Sequence, residues 1–225
     1  TCPTKLFYMA DNNYANQSVE DTFLAALAEG GFQVGELAKQ YFPGGVNIAT
    51  LDATKAVNQT SELLKNENIT IFEAAIKHEN CFIRVDVLEK KGNLIKIHEV
   101  KAKSVDGNQS SQFLTRDGAP NSIWKKYLYD VAFQKWVCSR ALPGHLIAAN
   151  LMLADKSKRI AAWGLNQKFR VHEVNGRKKV QVEGDILKVH LNPKILTSVN
   201  VDNICTGIFT STDHGLRVDE TFDQM

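Results

Sequence analysis

Asp86, Glu99 and Lys101 are the residues of this chain whose types and spacing suit chemistry best. The stretch from Arg84 to Lys101 reads as two strands around Gly92-Asn93, a two-residue hairpin signal. With that loop Lys91 pairs with Leu94, and counting back along both strands sets Asp86 opposite Glu99. Side chains alternate faces along a strand, so Glu99 and Lys101 share a face, and the residue opposite Glu99 shares it too. Two carboxylates facing each other repel. That weakens a sheet but suits a divalent metal. Mg²⁺ or Mn²⁺ takes oxygen ligands, commonly one or two carboxylates plus a substrate phosphate. Asp86 and Glu99 supply the carboxylates, and the Val100 carbonyl between Glu99 and Lys101 offers a third oxygen. Lys101 then orients or deprotonates a water, or offsets charge in the transition state. The plainer reading of the same residues is a surface hairpin with ordinary salt bridges.

The elements around this hairpin follow from apolar periodicity and turn residues. Residues 19–41 carry a helical pattern through Val19, Phe23, Leu27, Val34, Leu37, Ala38 and Tyr41, with Gly30-Gly31 as an expected break. Residues 52–66 read as a helix capped by Asp52. Strands are expected near 69–77, 81–89 and 94–102, then a polar loop over 104–122, a helix over 123–141 and an apolar strand over 145–153. Such a strand, apolar on both faces, belongs in the middle of a sheet. Trp124 and Trp136 are expected in the core. Beyond 155, Asn175-Gly176 between two alternating segments signals a hairpin made basic by Lys168, Arg170, Arg177, Lys178 and Lys179. A strand is expected over 185–191, and the last fifteen residues read as ragged.

In this order the motifs resemble the PD-(D/E)xK nuclease superfamily, in the form Asp86…Glu99-Val100-Lys101. Glu73, within Ile71-Phe72-Glu73-Ala74-Ala75, and Gln134, within Asp130-Val131-Ala132-Phe133-Gln134-Lys135-Trp136-Val137, resemble the RecB-like branch. That branch adds a Glu before the Asp strand and a Gln on the helix after Glu-x-Lys. The opening Cys2-Pro3-Thr4-Lys5-Leu6-Phe7-Tyr8 is similar to the start of RecB-like and CRISPR-adaptation nucleases. Phe42-Pro43-Gly44-Gly45-Val46 is similar to a stretch of bacterial proteins that carry such a module. The resemblance spans roughly residues 1 to 155, with 156–225 as a C-terminal extension packed on that core. The chain departs from the pattern at Gly35, where many members carry a His, and at Cys138, where a Tyr is frequent.

The resemblance implies an α/β, restriction-endonuclease-like core: a central mixed sheet flanked by helices, with an additional C-terminal β-hairpin region. It implies a Mg²⁺- or Mn²⁺-dependent deoxyribonuclease. Asp86, Glu99 and the Val100 carbonyl would hold the metal with help from Glu73; Lys101 and Gln134 would complete the catalytic set. DNA is the expected partner, met by Lys103, Arg84, Arg177, Lys178 and Lys179. The rival reading is a catalytically inactive nuclease-fold module that binds nucleic acid or a protein.

Composition bounds these readings. The chain has 225 residues, 44% hydrophobic and 23% charged, as in ordinary globular proteins. Its net charge of +2 gives no global basic field, so nucleic-acid binding needs a local basic surface. Cys2, Cys81, Cys138 and Cys205 lack zinc-binding spacing, and a single late Cys argues against an iron–sulfur cluster. A reduced, cytoplasmic setting, no membrane association and no small-molecule cofactor are expected. Because the chain opens on Thr1 rather than Met, further domains outside these residues are expected too.

Overall fold

The structure, a computed structural model, describes residues 22–107, 112–160, 163–174, 177–186, 188–213 and 216–223. The opening motif with Cys2, together with Val19 and the Asn175-Gly176 turn, lies outside them.

The first helix, α1, runs Thr22–Gln40 without a break at Gly30-Gly31. Each glycine costs a helix interior about 1 kcal/mol relative to alanine. Leu37 and Ala38 bury against the sheet further along, and Val34 packs beside them. Tertiary packing of that stripe outweighs the local penalty. A short edge strand β1, Val46–Asn47, follows. Gly45 precedes it because a Cβ there would overlap the Phe72 ring. Helix α2, Ala53–Leu63, starts at Asp52, whose side chain accepts from the Lys55 N–H at 3.0 Å. Its buried Thr60 hydroxyl donates to the Ala56 carbonyl and accepts the Ala75 N–H at 2.9 Å. That contact satisfies the edge of the next strand where β1 has ended.

Strands β2 (Asn68–His78), β3 (Cys81–Lys91) and β4 (Leu94–Val105) form the expected antiparallel meander. Helix α3, Ser122–Ala141, then crosses to β5, Leu146–Asp155, which runs parallel to β4. A later strand, β8 (Leu196–Asn200), pairs antiparallel with β5. The result is an α/β fold whose six-stranded mixed sheet has the order β1-β2-β3-β4-β5-β8 and is flanked by helices. On one face α3 packs on Ile71, Leu88, Ile97, Leu151 and Leu153, with Trp124 and Trp136 buried as expected. On the other, α1 packs on Met152 and Val100. Among the described residues no helix is long and apolar enough to cross a membrane.

Two expectations need correction. Residues 185–191 are not a strand; Lys188–Leu191 is a short helix, α4. The strand that joins the sheet is β8, placed after Pro193, which cannot donate to a ladder. The polar stretch between β4 and α3 is a loop as expected, and where described it is anchored: Phe113 is buried against Trp124 at 4.9 Å between centroids, and Leu114 bridges Pro120. The C-terminal residues are not ragged where described. After helix α5 (Asp202–Thr210), strands β9 (Thr212–Asp213) and β10 (Leu216–Arg217) pair and lead into helix α6, Val218–Asp223. Val218 is buried, and Phe222 meets Phe133 and Trp136 at 5.2 and 5.7 Å. Two apolar anchors four residues apart suffice to hold a helix that is otherwise polar. The basic hairpin forms as β6 (Phe169–Val174) and β7 (Arg177–Val182), a separate two-stranded sheet.

Candidate active site

Gly92, at φ +58°, turns the β3–β4 hairpin, and the pairs run from Lys91 with Leu94 to Val87 with His98. The register puts Asp86 and Glu99 next in line, but the ladder stops before them. The Asp86 carboxylate fills the gap instead. Its Oδ2 accepts the Val100 N–H at 2.7 Å, a bond that a regular ladder would give to backbone. On the other side of β3, Phe72 pairs with Val87 and Ala74 with Val85, so Glu73 stands opposite Asp86. Glu73 has φ +56°, left-handed backbone in the middle of a strand. Glu73, Asp86 and Glu99 therefore form one row across three adjacent strands, at the point where regular pairing fails.

Helix α3 covers this row. Lys101 Nζ donates to Glu99 Oε1 and, at 3.0 Å, to Asp130 Oδ2. Gln134 Nε2 donates to Glu99 Oε2 at 2.6 Å and to Asp130 Oδ1 at 3.3 Å. Glu99 and Gln134 are each 5% exposed, so these bonds form in a low-dielectric setting. Asp130 and Gln134, four apart, share a helix face. Asp130 is the participant that sequence reasoning missed. Its spacing from Gln134 was the available signal.

The centre holds more negative than positive charge. Burial, then the facing Asp86 carboxylate, push Glu99 up to about 8 against the pull of Lys101. Burial lifts Asp86 to about 6, opposed by the Val100 N–H and reinforced by Glu73. Burial works against the Lys101 ammonium, yet Glu99 and Asp130 outweigh it and hold its pKa above the ordinary lysine value. One ammonium thus serves a neighbourhood of four carboxylates: Glu73, Asp86, Glu99 and Asp130. His98 lies on the opposite face, beside Phe42 and 2.8 Å from Ser198 Oγ, and its burial lowers it to about 4.

These residues fit a hard divalent cation by donor chemistry. Buried carboxylates in excess of their counter-charge are what such an ion relieves. The Gln134 Oε1 atom is also buried without a hydrogen-bond partner. The fit concerns two carboxylates and a carbonyl: among the described residues no group of three or more His, Cys, Asp or Glu is arranged to hold a metal.

The remaining expected residues divide. Lys103 stands beside the centre, its Nζ 3.3 Å from the Ile123 carbonyl. The Arg84 guanidinium is committed to backbone, donating to the carbonyls of Ile48 (3.3 Å) and Thr50. The β6–β7 ribbon is not brought to the carboxylates. It packs through Phe169, Val180 and Val182 with α1, across the sheet from α3. Lys178 and Lys179 are exposed there, opposite Glu173 and His172.

Compared with protein-family models, curated proteins and solved structures, the chain matches none. The site therefore has to be judged on its own geometry.

Glu73 offers a test of that geometry. Left-handed backbone costs a non-glycine residue about 1–2 kcal/mol. Glu73→Gly is expected to raise the melting temperature of the metal-free protein by a few degrees while lowering activity. A fall in melting temperature would show that Glu73 serves the fold rather than the centre.

Proposed function

We propose that this chain is a Mg²⁺- or Mn²⁺-dependent nuclease that hydrolyses DNA phosphodiester bonds on a restriction-endonuclease-like core. The observation that carries the reading is the row of Glu73, Asp86 and Glu99 across a broken ladder, with Lys101 and Gln134 closing over it. Two facing carboxylates and an adjacent strand break destabilise a sheet, and active sites are where such local cost accumulates. The PD-(D/E)xK resemblance of the same residues supports the reading independently of their geometry.

Asp86, Glu99 and the Val100 carbonyl would hold the cation, with Glu73 assisting. When bound, it supplies Lewis-acid polarisation of the phosphoryl oxygens and an acidified water. The chain's own residues do the rest. Lys101, freed from Glu99, turns its ammonium to the attacking water or to charge developing on the phosphate. Asp130 keeps that ammonium beside the centre through its 3.0 Å contact. Gln134 fixes the orientation of Glu99 through its 2.6 Å bond. Asp86 ties β3 to β4 at Val100 and so sets the spacing of the two acidic strands.

The rival reading is a docking module on the same fold, favoured by Gly35 in place of the family His. A digestion assay on single-stranded DNA, duplex DNA and RNA, with Mg²⁺, Mn²⁺ or chelator, separates the two. Cleavage of DNA that depends on the metal is expected. Binding without cleavage under every metal condition supports docking.

A further inference from the structure

A second cluster sits on the start of α3, next to the carboxylates. Lys103 Nζ lies 4.7 Å from the Trp124 ring centroid and 5.2 Å from that of Tyr127. Lys126 Nζ is 4.8 Å from the same Tyr127 ring, and Lys101 6.0 Å. About a quarter turn round the helix, Lys125 Nζ is 5.4 Å from the Tyr129 ring. Lys101 is matched by Glu99 and Asp130. Among the described residues, Lys103, Lys125 and Lys126 form no ion pair with a carboxylate.

Two features make the arrangement costly in the free protein. Like charges gather around one ring, and cation–π attraction at exposed sites supplies only about 0.5–1 kcal/mol each. Lys125 and Lys126 also stand near the N-terminus of a 20-residue helix with no acidic residue in its first turn. The helix dipole is positive there and disfavours cations. An anion held across these lysines relieves both.

The apolar neighbours narrow the anion's identity. Ile123 is 60% exposed between the lysines, and Tyr127 and Tyr129 are partly exposed. A duplex turns phosphates outward and stacks its bases inside. An unpaired strand presents phosphates to lysines and base faces to apolar or aromatic side chains at once.

We propose that this surface binds single-stranded DNA, with phosphates on Lys103, Lys125 and Lys126 and bases against Ile123 and the tyrosines, and so feeds an unpaired strand to the adjacent carboxylates. The inference rests on the phosphodiester reading above for its direction, but its test does not use cleavage. Fluorescence anisotropy of a labelled oligothymidine and of a duplex of equal length is followed against salt, in chelator, for the whole chain and for Lys125→Gln/Lys126→Gln. Both lysines are exposed and oppose the helix dipole, so the double variant keeps or gains melting temperature, which confirms that it folds.

The wild type is expected to prefer the single strand. The double variant is expected to bind more weakly, with a log–log salt slope shallower by about 1.4, or roughly 0.7 per lost single-strand contact. An unchanged slope and affinity overturns the proposal, as does equal binding of duplex by the wild type. So does a slope flattened instead by Lys178→Gln/Lys179→Gln on the distant ribbon. Loss of cleavage with metal present, while binding in chelator follows the expected pattern, counts against the nuclease reading alone.

Discussion

Asp86→Asn is expected to raise the melting temperature of the metal-free protein by several degrees, while removing the stabilisation that Mg²⁺ or Mn²⁺ confers on the wild type. Asparagine keeps an oxygen to accept the Val100 N–H, so the strap between β3 and β4 survives. What disappears is a buried negative charge facing Glu99 and Glu73. An ordinary carboxylate ionises near pH 4 in the unfolded chain. In the folded protein Asp86 sits at about 6 and Glu99 at about 8. The folded state therefore retains protons that the unfolded state has released. The stability these groups allow is fully present below about pH 4 and is lost as pH rises through about 6 and about 8. Thermal melts of the metal-free wild type between pH 5 and pH 9 should accordingly show falling stability. Asp86→Asn should flatten the lower part of that decline. A divalent cation should restore wild-type stability at high pH by binding the ionised pair. A metal-free variant that melts lower than the wild type at pH 8 would mean that Asp86 is retained for the strand contact, not for charge.

Lys101→Ala should separate binding from chemistry. Its ammonium now occupies one oxygen of Glu99, where it competes with any incoming cation. Removing it should leave Mn²⁺ affinity equal or tighter. Cleavage should nonetheless fall by about 10²–10³-fold, the scale for losing one group that stabilises transition-state charge. Single-turnover rates at saturating Mn²⁺ read the second effect, and thermal shift against Mn²⁺ reads the first. Parallel losses in both would reduce Lys101 to a structural counter-ion, and undiminished cleavage would place the activity elsewhere.

Much of the frame around this centre was legible in the residues. Gly92-Asn93 fixed the hairpin register because a two-residue loop leaves little freedom, and Asp52 and the apolar 145–153 run marked their elements. What the sequence could not show was the failure of pairing at Asp86. A register count assumes an unbroken ladder, and the β2–β3 ladder skips the same row at a left-handed residue, Glu73, which no composition signal marks. Asp130 was hidden for a related reason: its role comes from a helix laid across a sheet, not from any local pattern. Gly30-Gly31 and the Val218–Asp223 helix went the other way, where tertiary packing overrode local propensity. The ribbon's charge was visible, but its place across the sheet from the carboxylates was not.

As proposed, the Asp86–Glu99 row with Lys101 gives this chain a metal-dependent nuclease activity. It is tested most directly by incubating wild type and Asp86→Asn, purified identically, with labelled single-stranded and duplex DNA and Mn²⁺. Complete cleavage by the wild type, none by the variant and none by either in chelator is the predicted result. Equal cleavage by both proteins, or none by a wild type that still binds the DNA, would contradict it.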